Sequence, residues 1–137
     1  MSDAPAKSPC GSCPYRRDAP TGLWHHDHYA KLVEYDNDNM ADQPELVFAC
    51  HQQDGRLCAG WVAVHDMEKN LALFLALLQG WITPDVFATC LTYATSVPLF
   101  ASGREACDHG MRDYEDPPER TRRVVNKLMK TKDVTLG

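Results

Sequence analysis

The chain has 137 residues, 44% of them hydrophobic and 24% charged, with a formal net charge of −5 at pH 7. This length supports one globular domain, and the composition argues against a disordered or fibrous protein. No apolar run approaches the roughly 18 residues that a membrane span requires. Since residues 1–9 also lack the apolar centre of a secretory signal, we expect a cytoplasmic protein with no membrane partner.

The first half of the chain is predicted to contain little regular structure. Residues 1–9 are small and polar and include two prolines, which predicts disorder. Residues 10–22 are rich in Cys, Pro, Gly and Arg, so we expect irregular backbone there. A short helix is predicted over residues 26–35 and an exposed loop over residues 36–44. The apolar residues 46–49 predict a short strand that leads into the second cysteine motif.

The second half is predicted to be helical. Residues 57–79 are apolar enough for a buried helix or a helix pair with a break near Asn70, and Gly80 would cap its end. Cap signals predict three further helices, over residues 83–94, 102–111 and 116–130. We interpret the three tryptophans as core residues or as a shield for the cysteine site: Trp24, Trp61 and Trp81.

The predicted fold class is therefore mainly α, in a single domain with a small irregular or β N-terminal part stapled by a metal. Three regions are expected along the chain. They are a disordered N-terminus at 1–9, a globular metal-binding domain at 10–116, and a basic amphipathic C-terminal helix and tail at 117–137.

Four cysteines form the most informative pattern. Cys10 and Cys13 form a Cys-x2-Cys motif flanked by prolines, and Cys50 and Cys58 form a Cys-x7-Cys motif after a gap of 36 residues. The small residues between the first two sulfurs leave backbone amides free to point at them. Because paired cytosolic cysteines more often bind metal than form disulfides, the spacing predicts one soft metal centre. The two remaining cysteines fall in predicted helices and are interpreted as core residues.

The metal is predicted to be either Zn(II) or a [4Fe–4S] cluster. Base rates for a four-cysteine site favour zinc, whereas the irregular second motif suits the more dispersed ligands of a cluster, and we place zinc ahead. His51 is a possible substitute ligand in a Cys3His site, or a neighbour of the ligands. Two alternatives remain: the cysteines are small buried hydrophobes, or Cys10 and Cys13 form a thioredoxin-like redox motif, against which the lack of a preceding strand argues.

Basic residues are candidates for contact with an anion or a partner. Arg16 and Arg17 follow the first motif, where they either offset thiolate charge or bind an anion. Residues 1–118 carry a net charge of −9 and residues 119–137 one of +4, which points to an anionic partner for the tail. The basic side chains of the last predicted helix either lie on a solvated face or contact nucleic acid or an acidic partner. They are Arg120, Arg123, Lys127 and Lys130.

A cluster of histidines precedes the first predicted helix. His25, His26 and His28 surround Asp27, and we interpret them as the solvated start of that helix rather than as a second metal site.

Three ordered motifs carry a resemblance to a known family. They are Cys10-x2-Cys13-Pro-Tyr-Arg-Arg, Phe48-Ala-Cys-His and Cys58-Ala-Gly-Trp. Together they resemble an uncharacterised family of small cysteine-rich proteins from actinobacteria and their bacteriophages, over about residues 9–65. The resemblance implies a habitat and a metal-site pattern, and no activity. A weaker similarity is to WhiB-type iron–sulfur regulators, which also combine four cysteines, a Gly-Trp turn and a basic C-terminal segment but order their cysteines differently.

Three functional hypotheses are compatible with these features. The first is a non-enzymatic interaction or regulatory module, stapled by metal, that binds a protein partner. The second is a [4Fe–4S] redox-sensing transcription regulator whose basic helix contacts DNA or RNA polymerase. The third is a metal-dependent enzyme with His51 or Asp54 as its base, which a closed set of four thiolate ligands disfavours. The sequence defines neither the partner nor the oligomeric state.

Overall fold

The structure is a computed structural model that describes residues 2–50, 52, 55–112, 119 and 121–127. These residues are mainly helical, as the sequence predicts. The α-helices are α1 (His26–Glu34), α2 (Ala59–Val64), α3 (Leu71–Leu78), α4 (Pro84–Leu91) and α5 (Gly103–Gly110). Short 3-10 helices lie at Met40–Asp42 and Met67–Lys69, and residues 121–127 are also helical. None of the described helices is long and apolar enough to cross a membrane.

Helices α1 and α5 pack closely because α5 carries glycine at both ends. A Cβ at Gly103 would overlap the carbonyl of Leu32, and a Cβ at Gly110 would overlap the ring of Tyr29. Asp36, just after α1, accepts hydrogen bonds from the backbone amides of Gly103 at 2.7 Å and of the following residue at 2.8 Å. These bonds satisfy donors that a helix N-terminus otherwise leaves unpaired, so the end of α1 and the start of α5 are linked and the two helices pack as one unit.

The apolar run at 57–79 forms the predicted helix pair, α2 and α3. The predicted break at Asn70 is confirmed, and it extends back to His65. Asn70 is buried, and its side-chain oxygen accepts a hydrogen bond at 2.9 Å from the backbone amide of Leu73, which caps α3. Gly80 ends the helix with a φ of +75°, a conformation that favours glycine, as predicted.

Helix α4 begins at the predicted place but is shorter than expected. Thr83 caps it by accepting a hydrogen bond from the amide of Val86 at 3.1 Å. The helix ends at Leu91, before the predicted Ala94. Beyond this end, the hydroxyl of Tyr93 donates to a carbonyl of the N-terminal segment at 2.8 Å. This tertiary contact competes with further helical turns, and a local sequence pattern does not contain it.

Residues 2–9, for which the sequence predicts disorder, lie against the body in the structure. The amide of Ser2 donates to the carbonyl of Trp81 at 2.7 Å, and the amide of Leu57 donates to the carbonyl of Asp3 at 3.1 Å. Pro5 and Pro9 are buried. The segment gains its order from contacts with distant residues, so its own composition gives no sign of it.

The strand predicted at residues 46–49 is present only as an isolated antiparallel bridge between Ala49 and Leu57. One hydrogen bond on each side extends the pairing, from Cys50 to the carbonyl of Arg56 and from Cys58 to the carbonyl of Phe48, both at 2.9 Å. The pairing stops there because α2 begins at the next residue. Its effect is to place the two cysteines of the second motif at opposite ends of the bridge.

Candidate metal centre

The four cysteines of the two motifs surround one small cavity. Cys10 and Cys13 belong to the N-terminal turn, and Cys50 and Cys58 flank the bridge that precedes α2. All four line a cavity of about 10 Å³. The other residues that line it are Ala6, Ser8, Leu57 and Ala59. The two motifs, far apart in the sequence, therefore meet at one place.

The sulfur atoms form two close pairs, and each pair joins the first motif to the second. The Sγ atoms of Cys13 and Cys58 are 3.8 Å apart, and those of Cys10 and Cys50 are 4.0 Å apart. Two thiolates that bind one zinc ion at about 2.3 Å in tetrahedral geometry stand about 3.8 Å apart, so each pair matches one edge of such a site. The two pairs are farther from each other than the two sulfur atoms within each pair are. Among these described cysteines, no three sulfur atoms lie within 4.8 Å of one another, so a single zinc ion would draw the two pairs together.

The inner pair, Cys13 and Cys58, is buried and electrostatically asymmetric. The hydrogen bond with Cys58 lowers the pKa of Cys13, and the backbone amides of Tyr15 and Gly60 lower it further. The same hydrogen bond, and then burial, raise the pKa of Cys58 well above its ordinary value. Of the two sulfurs, Cys13 is therefore the one more readily deprotonated. Amides directed at a sulfur stabilise its anionic form, which is the form that binds a metal.

The outer pair, Cys10 and Cys50, is partly exposed. The hydrogen bond with Cys50, followed by burial and by the charge of Cys13, raises the pKa of Cys10. A metal ion must displace the Cys10 proton to bind there, so affinity for the ion should rise with pH.

Gly60, in the first turn of α2, allows the first motif to approach the helix. A Cβ at this position would lie 2.5 Å from the Sγ of Cys13 and 2.8 Å from the Cβ of Tyr15. Contacts this short are not tolerated, so only glycine fits between the motif and the helix. The sequence analysis included this glycine in the resemblance motif but assigned it no role.

Side chains from outside the motif hold its turn in place. The indole nitrogen of Trp24 donates to the carbonyl of Ser12 at 3.2 Å, and the side-chain amide of Gln52 donates to the hydroxyl of Ser12. Trp24 thus contacts the site as predicted, and Trp61 is fully buried. The expectation that Trp81 is a core or shielding residue is wrong, because its side chain is 56% exposed.

A buried polar chain anchors the first motif to the α1–α5 unit. The Tyr15 hydroxyl lies 2.9 Å from Nε2 of His65, and Nδ1 of His65 lies 3.6 Å from a carboxylate oxygen of Asp36. Burial lowers the pKa of His65 to about 4 against the opposing charge of Asp36. Burial also raises the pKa of Tyr15. At neutral pH the His65 ring is therefore neutral and lies between the phenol of Tyr15 and the carboxylate of Asp36. The sequence analysis missed this chain because its members are far apart in sequence.

The two arginines after the first motif both make contacts within the protein. Arg16 forms a bidentate ion pair with Asp18 at 2.7 and 2.8 Å and also donates to the carbonyl of Pro9 at 3.2 Å. Its pKa is raised by Asp18 and, to a lesser extent, by the nearby cysteines of the first motif. Arg17 donates to the carbonyl of Leu99 at 2.9 Å and lies over the ring of Phe100. These contacts favour the structural interpretation of both side chains over an anion site.

Some candidate residues of the second cysteine motif and of the C-terminal segment are not described by the structure. They are His51, Asp54, Arg120 and Lys130. Arg123 forms an exposed ion pair with Glu119 at 2.8 Å. Thr121 is fully buried, and its hydroxyl donates to the carbonyl of Thr21 at 2.7 Å, so the helical residues 121–127 contact the body at this point.

The histidine cluster at the start of α1 is fully solvated. Ligand atoms of His25, His26 and Asp27 lie within 4.8 Å of one another, and all three residues are exposed. His25 caps the helix by accepting a hydrogen bond from the amide of Asp27 at 3.2 Å. This agrees with the interpretation of the cluster as a helix start.

Comparison with known proteins gives one match. No curated protein and no solved structure was found to match the chain. A family model described as a family of unknown function (DUF6283) matches residues 5–130. The matched range contains both cysteine motifs and every helix described above, and it agrees with the resemblance to an uncharacterised family. The chain therefore belongs to this family of unknown function.

Proposed function

We propose that this chain is a non-enzymatic interaction or regulatory module whose N-terminal half is stapled by one Zn(II) ion bound to Cys10, Cys13, Cys50 and Cys58. The supporting observation is the cavity that these four thiols line, with sulfur pairs at 3.8 and 4.0 Å. The ion supplies a cross-link between distant parts of the chain. Four thiolates complete its tetrahedral shell and leave no open position for a substrate, which argues against an enzyme.

The surroundings of the cysteines suit bound thiolates. Backbone amides of Tyr15 and Gly60 stabilise the charge on Cys13, and the guanidinium of Arg16 lies close enough for the thiols to raise its pKa. The N-terminal turn, the bridge before α2 and the start of α2 meet at this site. An ion there would connect segments that otherwise share few regular hydrogen bonds. Such sites contribute on the order of 10 kcal/mol to folding.

We propose a protein as the partner. Three large apolar side chains are exposed on α3 and just after it: Phe74 is 38% exposed, Leu78 79% and Trp81 56%. Exposed apolar side chains that lie together are typical of protein interaction sites. The proposed setting is the cytoplasm of an actinobacterium or of its bacteriophage-infected cell, and this part depends on the motif resemblance alone.

A [4Fe–4S] redox-sensing transcription regulator is the second candidate. The wide separation between the two sulfur pairs favours it, because each thiolate of a cubane binds a different iron atom. In that case the basic helical residues 121–127 would contact DNA or RNA polymerase. The sulfur–sulfur distances of 3.8 and 4.0 Å within the pairs, each close to one edge of a tetrahedral zinc site, favour zinc.

Metal analysis of the full chain, purified both aerobically and anaerobically, tests the proposal. A colourless protein with one equivalent of zinc is expected. A brown protein with iron and sulfide would refute zinc and support the regulator, and a metal-free protein after both purifications would refute both candidates. Cys13→Ser and Cys58→Ser should lose the metal. Cys107→Ser, a partly exposed cysteine on α5 outside the cavity, is the matched control and should retain it.

A further inference from the structure

The two thiol pairs of the centre differ in their access to solvent. Cys13 and Cys58 are only 2% and 3% exposed, whereas Cys10 and Cys50 are partly exposed. A small oxidant that arrives from solvent therefore meets the outer pair first. Reaction at the inner pair requires the first motif to separate from α2, where Gly60 leaves no free space beside Cys13.

The sulfur atoms of the outer pair also need only a small movement to form a covalent bond. Its sulfur atoms are 4.0 Å apart, and a disulfide of about 2.05 Å requires them to approach by roughly 2 Å. A bond within the first motif would instead pull Cys13 away from Cys58 at 3.8 Å and from the amides of Tyr15 and Gly60. The geometry thus favours the long-range pair over the one adjacent in sequence.

We propose that Cys10 and Cys50 form an oxidative modification site, at which a hydroperoxide produces a Cys10–Cys50 disulfide while Cys13 and Cys58 remain thiols. For a chain that holds zinc, loss of two of the four ligands releases the ion. This step rests on the proposed function. The formation of the disulfide rests on the thiol geometry alone.

The reaction balances with the peroxide as the only oxidant. One thiolate attacks the O–O bond, so that an S–O bond forms, the O–O bond breaks and hydroxide leaves. The second thiolate then attacks that sulfur, so that the S–S bond forms and the S–O bond breaks with loss of a second hydroxide. The two sulfurs lose two electrons and hydrogen peroxide gains them. With two protons from solvent, the products are one disulfide and two water molecules.

The consequence is a redox-dependent change in the module. Release of the ion removes the cross-link between the N-terminal turn and α2, while the new disulfide keeps the turn attached beside residue 50. The buried inner dithiol stays available to rebind zinc once a reductant opens the disulfide. Oxidation is therefore reversible, in contrast to over-oxidation of a single exposed thiol.

The test uses the zinc-loaded full chain and hydrogen peroxide. Free thiols are counted by alkylation and mass spectrometry, disulfides are located by peptide mapping, and zinc is followed with a chromogenic chelator. We expect loss of two thiols, one cross-linked peptide pair that contains Cys10 and Cys50, and zinc release at the same rate. Dithiothreitol should restore both thiols and zinc binding.

Several outcomes would overturn the inference. They are a Cys10–Cys13 or Cys13–Cys58 cross-link as the first product, or sulfinic acid at Cys10 without a disulfide. Cys107→Ser should react like the wild type, and Cys50→Ser should give no cross-link to Cys10. If the Cys50→Ser variant does not fold, the wild-type peptide map alone decides.

The two proposals fail in different ways. A chain that holds no zinc refutes the proposed function, and peroxide treatment of that metal-free chain still tests the Cys10–Cys50 pair. A chain that holds zinc but forms another disulfide refutes only the oxidation site.

Discussion

Replacing Gly60 with alanine tests whether the close approach of α2 to the first motif builds the metal centre. The new Cβ would lie 2.5 Å from the Sγ of Cys13 and 2.8 Å from the Cβ of Tyr15. Ordinary contact between such atoms is about 3.5–4.0 Å, so the sulfur must move by roughly 1 Å. Tyr15 cannot easily absorb this shift, because it is fully buried and held by His65 at 2.9 Å.

This displacement should change both the free energy of unfolding and the affinity for zinc. Overpacking of a dense core lowers stability by about 1–3 kcal/mol, whereas alanine in place of glycine in a helix returns at most about 1 kcal/mol. A net loss of about 1–2 kcal/mol in the free energy of unfolding is expected. The effect on the metal should be larger, because ligand distances in a zinc site vary by only about 0.2 Å and the sulfur would move several times that.

Gly11→Ala is the matched control. It introduces the same methyl group inside the first motif, where nothing lies within 4 Å of the added Cβ. Urea unfolding and zinc competition titration of the full-length wild type and both variants make the comparison. We expect weaker zinc binding and a lower unfolding midpoint for Gly60→Ala, and wild-type values for Gly11→Ala. If Gly60→Ala binds zinc as tightly as Gly11→Ala does, the proposed role of this contact is refuted.

Stability should also depend on the titration of His65, whose pKa burial lowers from 6.5 to about 4. The stability that the neutral His65 ring contributes is fully present above pH 6.5, and up to about 3 kcal/mol of it is lost as the pH falls towards 4. Urea unfolding at pH 7 and pH 5 should show a smaller change in the free energy of unfolding for His65→Gln than for the wild type. An equal change would contradict the assignment. Gly110→Ala places a methyl group in the ring of Tyr29 and should lower the free energy of unfolding by about 1–3 kcal/mol with unchanged zinc content. Reduced zinc content would show that the α1–α5 contact and the metal centre are not separable. A zinc chelator should lower the unfolding midpoint of the wild type but not that of Cys13→Ser, which lacks a ligand; equal shifts would count against a structural metal.

Much of the helical structure was predictable because helix starts depend on residues that are close in sequence. Thr83 accepts a hydrogen bond from the amide of Val86 at 3.1 Å, and Ser102 accepts one from the amide of Glu105 at 3.2 Å. Asn70 interrupts the long apolar run for the same local reason, since its side chain caps the helix that follows it. A side chain and an amide two or three residues apart meet in almost any fold that allows a helix.

The predictions that were wrong concern features that depend on residues far apart in the sequence. The sequence predicts a buried Trp81 from its hydrophobicity, yet the fold buries the neighbouring Ile82 instead and leaves Trp81 56% exposed. It predicts disorder for residues 2–9 from their composition, yet Ser2 and Asp3 gain order from the partners that the rest of the chain offers. The Tyr15–His65–Asp36 chain gives no local signal, because each member is an ordinary residue until the fold brings the three together.

By itself, the sequence determined the helical class of this protein, the main helix boundaries and the identity of the four clustered cysteines, because spacing and cap chemistry act over a few residues. Only the tertiary structure decided how those cysteines combine: Cys13 with Cys58 in a buried pair, and Cys10 with Cys50 in a partly exposed one. Spacing cannot specify this arrangement. It depends on how closely α2 approaches the first motif, and packing at Gly60 sets that distance.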